Sequence, residues 1–159
     1  MLVKKVYKTL SLLLKELEAN KINWVLIGSL NLFLQVVDVE FHDIDVFTDK
    51  EGVSHINKIF RDCVIKPISF SETEVFKSFR GIFKINDCLV DVVTDLQFRP
   101  SRNSKWFRST GLSIVKTLKV KGLLLPEAPL EQEYTAYLNM GRLEKAEKIK
   151  NKLEESFNL

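Results

Sequence analysis

The sequence has 159 residues and a formal net charge of +3, and 45% of its residues are hydrophobic while 28% are charged. These proportions are typical of a globular domain with its own core, and they exclude a disordered chain, a collagen and a coiled-coil array. No stretch reaches the length of about 20 apolar residues that a membrane span needs, and no cleavage site follows the N-terminal leucines, so we expect a cytoplasmic protein that makes no membrane contact.

In the first part of the chain, helical and strand patterns alternate. Apolar residues at helical spacing, and short apolar runs that end at turn residues, are the signals used. They predict, in order, a helix over Val3–Asn20, a strand over Trp24–Ile27, a short helix over Leu30–Val37, a strand over Asp43–Phe47 and a helix over Glu51–Arg61.

The second part begins with strands and ends with helices. The pattern predicts strands over Val64–Phe70, Phe76–Phe79, Ile82–Ile85 and Cys88–Thr94 with a turn at Asn86-Asp87, a loop over Arg99–Gly111, a strand over Thr117–Val120, and helices over Leu130–Met140 and Arg142–Phe157. This order predicts one α/β (α+β) domain over residues 1–159, in which a small mixed sheet carries packed helices. We place its core at about 1–125 and a C-terminal helical segment at about 127–157.

The first chemical signal is the pair of carboxylates in Asp43-Ile44-Asp45. Because side chains alternate along a strand, Asp43 and Asp45 point to one face and Ile44 to the other. Aspartate is disfavoured in strands, and two ionised carboxylates on one buried face repel each other unless a cation lies between them. The pair therefore predicts a metal site, although carboxylates on an exposed strand are the simpler alternative.

A third carboxylate, Asp91, lies in the middle of the apolar run Leu89-Val90-Asp91-Val92-Val93. If this strand lies beside the first, Asp91 joins Asp43 and Asp45. Asp95 has the same parity, but its flanks are less apolar, so we prefer Asp91. Three carboxylates without histidines favour a hard cation, Mg²⁺ or Mn²⁺, over zinc.

Gly28-Ser29 follows the buried strand and precedes a helix. Glycine allows a ligand to approach the backbone closely, and the start of a helix offers free N–H groups beside the serine hydroxyl. The sequence therefore predicts that Gly28 and Ser29 bind phosphate, unless the pair is only a turn between strand and helix.

Together these features resemble the minimal nucleotidyltransferases of the DNA polymerase beta-like superfamily. The matching residues are Gly28, Ser29, Asp43, Asp45 and Asp91, and the resemblance extends more loosely to Tyr137 and Gly141-Arg142. It implies a nucleotidyltransferase fold and transfer of a nucleoside monophosphate from a nucleoside triphosphate to a hydroxyl, with release of pyrophosphate.

The resemblance also implies residue roles. Gly28 and Ser29 would contact the β- and γ-phosphates, Asp43 and Asp45 would bind both metals, and Asp91 would complete the metal site and activate the acceptor hydroxyl. Relatives often have a basic residue just before the Asp-x-Asp pair, where this chain has Glu40-Phe41-His42. This difference favours the alternative of a catalytically weak or inactive nucleotidyltransferase-fold protein that engages a protein or RNA partner, as in toxin–antitoxin modules.

The acceptor is left open by the sequence: a small molecule, RNA or a protein hydroxyl all fit. Leu96 to Pro126 contains seven basic residues and no acidic one. Within it, Arg99–Arg108 interleaves four bases with Trp106 and Phe107, which predicts either RNA contact or a basic loop anchored by its aromatics. His42 and His55 are expected at the surface, and Cys63 and Cys88 are expected as buried thiols.

Overall fold

A computed structural model describes residues 3–157 of the chain. Its five α-helices are α1 (Lys4–Ala19), α2 (Gly28–Leu34), α3 (Lys50–Ile59), α4 (Leu130–Asn139) and α5 (Leu143–Phe157). Its strands are β1 (Trp24–Ile27), β2 (Ile44–Thr48), β3 (Val64–Glu72), β4 (Phe76–Ile85), β5 (Cys88–Phe98), β6 (Phe107–Arg108), β7 (Lys116–Val120) and β8 (Leu123–Glu127). None of the helices among these residues is both long and apolar enough to cross a bilayer.

The strands form one mixed sheet in the order β3-β4-β5-β2-β1-β8-β7, and β6 pairs with β5. The neighbours β2 and β5 run parallel, as do β1 and β8, whereas β1 and β2 run antiparallel. This sheet with helices packed on it confirms the predicted fold class. The strand β1, which ends just before Gly28-Ser29, and the strand β5, which carries Asp91, therefore lie on either side of β2.

One face of the sheet builds the main core. Ile44 and Val46 of β2, with Val90 and Val92 of β5, are buried in a cluster that α1 covers with apolar residues such as Leu13. The alternation along β2 sends Asp45 to the opposite face. Burial of one face of these strands thus fixes which side chains the other face presents.

A second, smaller cluster joins the C-terminal helices to α2. Tyr137 of α4 and Ala146 and Ile149 of α5 are buried against Leu32 of α2 and Val37. Since α2 begins at Gly28, this packing brings α4 and α5 beside the Gly28-Ser29 turn.

Several boundaries differ from the predicted ones. Phe76–Phe79 and Ile82–Ile85 belong to the single strand β4, and Leu123–Glu127 forms the unpredicted strand β8. This strand pairs with β7 from Lys116↔Glu127 to Val120↔Leu123, and with β1 at Leu26↔Glu127. The predicted loop over Arg99–Gly111 contains the short strand β6.

Candidate active site

The three predicted carboxylates lie together. Asp45 of β2 and Asp91 of β5 are direct partners in the parallel register, and Asp43 precedes β2 by one residue. Ligand oxygens of all three lie within 4.8 Å of one another. Asp95, the alternative to Asp91, is instead paired with Arg108, and its backbone adopts the left-handed conformation with φ of 52°.

Two of these carboxylates, Asp45 and Asp91, have raised pKa values, and burial is the largest cause for both. Burial, followed by the charges of Asp43, Asp91 and Glu133, raises the pKa of Asp45 from 3.8 to about 8. Burial also raises the pKa of Asp91, while its ion pair with Arg80 opposes that rise. Ionising these two carboxyl groups is therefore costly in this position, and a bound cation would offset that cost.

Arg80 was not identified from the sequence. Its guanidinium, on β4, donates through Nε and Nη2 to the two carboxylate oxygens of Asp91 on the neighbouring strand. An arginine within an apolar strand was the available signal, but only the register of β4 against β5 shows that it faces the carboxylates.

Gly28 lies in van der Waals contact with the carboxylate of Asp45. Its φ is +78°, and a Cβ at this position would clash with Oδ2 of Asp45. A side chain is thus excluded on two grounds, backbone conformation and space. However, the Gly28 N–H donates to Oε2 of Glu133 at 2.9 Å, so this donor, expected to bind phosphate, already has a partner.

Ser29 is contacted from the C-terminal helices. Lys145 of α5 donates from Nζ to the Ser29 Oγ at 3.1 Å. Burial and the charge of Glu133 raise the pKa of the Tyr137 hydroxyl above its usual range, and a hydrogen bond with the Ser29 side chain opposes that rise. Lys145 therefore places a positive charge beside Ser29, from more than a hundred residues away in the chain.

Glu133 of α4, like Arg80 and Lys145, is a residue that sequence reasoning missed. Its side chain is buried, with Oε2 accepting from the Gly28 N–H and, at 3.4 Å, from Nδ2 of Asn31. Burial raises the pKa of this carboxyl to about 7, and both hydrogen bonds lower it. Glu133 thereby ties α4 to the start of α2.

The site opens into a cleft of about 330 Å³. Asp45, Asp91 and Glu133 lie on its wall, together with Arg80 and Tyr137. Its remaining lining is formed by Ile27, Gly28, Phe76, Ser78, Val93, Leu96, Met140 and Arg142. The cleft is large enough for part of a small molecule beside a cluster of acids.

Known proteins share both the sequence pattern and the fold. A sequence profile of the aminoglycoside-2''-adenylyltransferase family matches residues 9–153. The chain belongs to this family. It is therefore a nucleotidyltransferase, as the resemblance implied.

Solved structures agree with this assignment. A crystal structure at 1.87 Å of a Thermotoga maritima protein, provisionally named a nucleotidyltransferase, shares 35% identity and superposes with a TM-score of 0.76, covering 98% of this chain and 96% of that one. A search of curated protein sequences finds no match.

Two antibiotic adenylyltransferases share the fold at 11% identity. The lincosamide enzyme LnuA, with lincomycin bound, has a TM-score of 0.58 over 94% of this chain and 97% of its own. ANT(2'')-Ia, in complex with adenylyl-2''-tobramycin, has a TM-score of 0.50 over 94% of this chain and 99% of its own.

In the basic stretch Arg99–Arg108, the charged side chains contact neighbouring residues of this protein. Both Lys77 and Arg99 place their charged groups over the Trp106 ring, at 4.5 and 4.1 Å from its centroid. These cations compete with any base for the ring, so the predicted stacking of RNA on Trp106 requires their displacement. RNA contact stays a prediction.

The remaining residues singled out from the sequence lie away from the cleft. His42 is exposed, and His55 lies 3.8 Å from Glu51 within α3. Cys88 is buried in the core and Cys63 is partly buried. None of the four is within the lining of the cleft.

Proposed function

We propose that this protein transfers a nucleoside monophosphate from a nucleoside triphosphate to an acceptor hydroxyl, releases pyrophosphate and requires a divalent metal. It would thereby act like the minimal members of the DNA polymerase beta-like superfamily. The observation that carries this proposal is the convergence of Asp43, Asp45 and Asp91 within 4.8 Å, beside Gly28 and Ser29.

The donor set suits a hard divalent cation. It consists of carboxylate oxygens alone, which favours Mg²⁺ or Mn²⁺ over zinc. Burial and the neighbouring carboxylates raise the pKa of Asp45, and a bound cation would favour its ionised form. When bound by Asp43, Asp45 and Asp91, such a cation supplies positive charge that polarises the α-phosphoryl group and stabilises the entering and leaving oxygens.

The triphosphate is assigned to the Ser29 side of the cluster. There the Lys145 ammonium and the Ser29 hydroxyl already lie in contact, and both are donors suited to phosphate oxygens. The Gly28 N–H donates to Glu133, so this N–H is not free to bind phosphate, and the hydrogen bond orients the turn instead. In this assignment Ser29 and Lys145 hold the β- and γ-phosphates, and Gly28 leaves them room.

The acceptor hydroxyl is assigned to the Asp91 side. Its oxygen forms a bond to the α-phosphorus, the bond to the bridging oxygen of the β-phosphate breaks, and pyrophosphate leaves. Asp91 accepts the hydroxyl proton, and the Arg80 fork holds its carboxylate in one orientation for that role. No covalent intermediate on the protein is needed.

Thermal melting combined with label transfer tests this proposal. Mg²⁺ and ATP together should raise the melting temperature more than either alone, and label from α-³²P-ATP should pass to a species in a cell extract. Asp45→Asn should abolish both effects. Asp95→Asn, which removes a carboxylate four residues after Asp91 on β5 but outside the cluster, should retain them.

Two outcomes would count against it. The absence of any melting shift with Mg²⁺ and all four nucleoside triphosphates would remove the nucleotide site. A clear shift without labelled product would support the alternative of a nucleotide-binding protein that engages a partner.

A further inference from the structure

The carboxylate cluster already has one cation in contact with it. The guanidinium of Arg80 donates from Nε to Oδ1 of Asp91 at 3.3 Å and from Nη2 to Oδ2. Among residues 3–157 this is the one ion pair that Asp43, Asp45 or Asp91 makes. Burial raises the pKa of Asp45 and of Asp91, and the charge of Arg80 opposes that rise at both, so Arg80 acts on the cluster and not on Asp91 alone.

The position of Arg80 follows from the sheet. Arg80 lies on β4 opposite Val93 of β5, and Asp91 lies two residues before Val93 on the same face of that strand. The Arg80 side chain therefore runs along β5 to reach Asp91. It lines the cleft beside Asp45 and Asp91, and 35% of it is exposed. A cation or a phosphate that enters the cleft therefore meets this guanidinium.

The Arg80 fork also uses part of the binding capacity of Asp91. A carboxylate has about four lone-pair positions, and the two N–H groups of Arg80 take one on each oxygen. Ligand oxygens of Asp43, Asp45 and Asp91 lie within 4.8 Å of one another, so a metal ion bound by all three would share the Asp91 carboxylate with the guanidinium. Two cations on one carboxylate repel each other, and partial burial weakens the screening of that repulsion by water and salt.

This repulsion acts more strongly on a metal ion than on a proton. Coulomb energy is proportional to charge, so at the same position Arg80 opposes a divalent cation about twice as strongly as it opposes a proton. Removing the charge of Arg80 would raise the proton affinity of Asp91, and it would raise the affinity for a divalent cation by more. Competition from protons therefore does not cancel the gain in metal affinity.

We propose that Arg80 sets the metal affinity of the site, because it neutralises Asp91 in the metal-free protein and weakens the binding of a divalent cation that arrives without nucleotide. This role rests on the proposed function, which assigns the carboxylates to the metal. A nucleotide brings phosphate oxygens into the cleft that Arg80 lines, and their negative charge offsets that of the guanidinium. The cation thus binds best together with the nucleotide.

Titration with Mn²⁺ in the absence of nucleotide tests this role. The dissociation constant would be measured at pH 8 from the electron paramagnetic resonance signal of free Mn²⁺. Arg80→Gln, which removes the charge, should bind Mn²⁺ at least about tenfold more tightly than wild type, and Arg80→Met is a second neutral replacement. Arg80→Lys keeps the charge without the fork, so its dissociation constant should lie closer to that of wild type than to that of Arg80→Gln.

Two further variants locate the effect. Arg102 is also an arginine beside a carboxylate, 3.8 Å from Glu74, but it is exposed and outside the cleft, so Arg102→Gln should leave the dissociation constant unchanged. Adding Asp45→Asn to Arg80→Gln should remove the tighter binding, because the ion then loses a ligand of the cluster. Melting curves in EDTA identify the variants that are folded and can be compared.

Three results would overturn the proposal. Mn²⁺ binding to Arg80→Gln and Arg80→Met that is no tighter than in wild type would show that Arg80 does not oppose the metal. Equal tightening in Arg102→Gln would assign the effect to the net charge of the protein. Tight binding that survives Asp45→Asn would place the ion outside the cluster.

Failure of the proposed function has a different signature in the same experiment. If neither wild type nor any Arg80 variant binds Mn²⁺, with or without a non-hydrolysable ATP analogue, the metal site itself is contradicted. Mn²⁺ binding by wild type that Arg80→Gln leaves unchanged contradicts only the role of Arg80.

Discussion

The two faces of strands β2 and β5 have opposite effects on the stability of the protein. On one face Ile44 and Val46 are 1% and 0% exposed and pack under α1. On the other face Asp45 and Asp91 are direct neighbours, and burial and mutual repulsion raise the pKa of Asp45 to about 8. Residues one step apart in the chain thus belong to a stabilising core and to a destabilising site.

This contrast shows why the site tolerates so much charge. Apolar burial on the α1 face stabilises the strands by roughly 25 cal/mol for each Å² removed from water, and it fixes their register. Fixed register holds three carboxyl groups together that would otherwise separate. Functional sites are where such locally unfavourable arrangements are expected.

The largest effect is expected on the core face. Phe83 of β4 is fully buried in the α1 cluster, so Phe83→Ala should lower the free energy of unfolding by about 3–5 kcal/mol through lost contacts and the cavity it leaves. Urea unfolding measures the change. The neighbouring exposed position provides a control, because Lys84→Ala should change stability by less than about 0.5 kcal/mol. A change of under about 1 kcal/mol for Phe83→Ala would mean that this face is not the main source of stability.

On the opposite face, which carries Asp45 and Asp91 and is called the site face below, the expected effect is on activity. Asp45→Asn should reduce the rate of label transfer from α-³²P-ATP by about 10²–10³-fold, because it removes charge from the cluster assigned to the metal. The folded fraction should not fall. Transfer within about twofold of the wild-type rate would be incompatible with a metal site at Asp45.

The next prediction concerns the pH dependence of stability, to which the titrating carboxyl groups of the site face contribute and the apolar core face does not. Burial and the neighbouring carboxylates raise the pKa of Asp45 from its usual 3.8 to about 8 in the folded protein without metal. Between these values the folded protein retains a proton that the unfolded chain has released, so the free energy of unfolding should fall as pH rises from about 5 to about 8. Glu133, with its pKa raised to about 7, contributes in the same direction.

Thermal melting in EDTA across this range measures the slope. Asp45→Asn should reduce the slope and be more stable than wild type at pH 8 by on the order of 2 kcal/mol, since it removes the repelling charge. Asp62→Asn, at an exposed position, should keep the wild-type slope. An Asp45→Asn variant less stable than wild type at pH 8 would show that the site face does not oppose folding.

The smallest effect is expected where the site face meets α5. Lys145→Met removes the ammonium at Ser29 and should raise KM for ATP by about tenfold, because one charge-assisted contact to phosphate is lost. Steady-state kinetics over a range of ATP concentrations measures this. The exposed Lys150 on the same helix is the matched control, and an equal effect of Lys150→Met would indicate general charge attraction instead.

The sequence predicted those site residues that neighbouring residues in the chain identify. Strand parity placed Asp43 and Asp45 on one face, and apolar flanks distinguished Asp91 from Asp95. Arg80, Glu133 and Lys145 were missed because each reaches the site only through long-range packing: β4 register for Arg80, and docking of α4 and α5 on α2 for the other two. Nothing in the spacing of α5 separates Lys145 from its other lysines.

The fold shows the same division. Regular apolar spacing predicted all five helices and most strands, but β8 was missed although it forms a hairpin with the neighbouring β7 across Lys121-Gly122. The Gly28-Ser29 turn was located correctly, whereas the partner of the Gly28 N–H depended on where α4 packs. Local signals locate elements, and contacts between distant elements decide which groups are free to bind.

The most direct test of the metal cluster is a crystal soaked with Mn²⁺ and a non-hydrolysable ATP analogue, with the anomalous signal of manganese used to locate the ion. We expect an anomalous peak coordinated by Asp43, Asp45 and Asp91, with the triphosphate against Ser29 and Lys145. A nucleotide bound elsewhere, or a peak that does not contact these carboxylates, would contradict the assigned site.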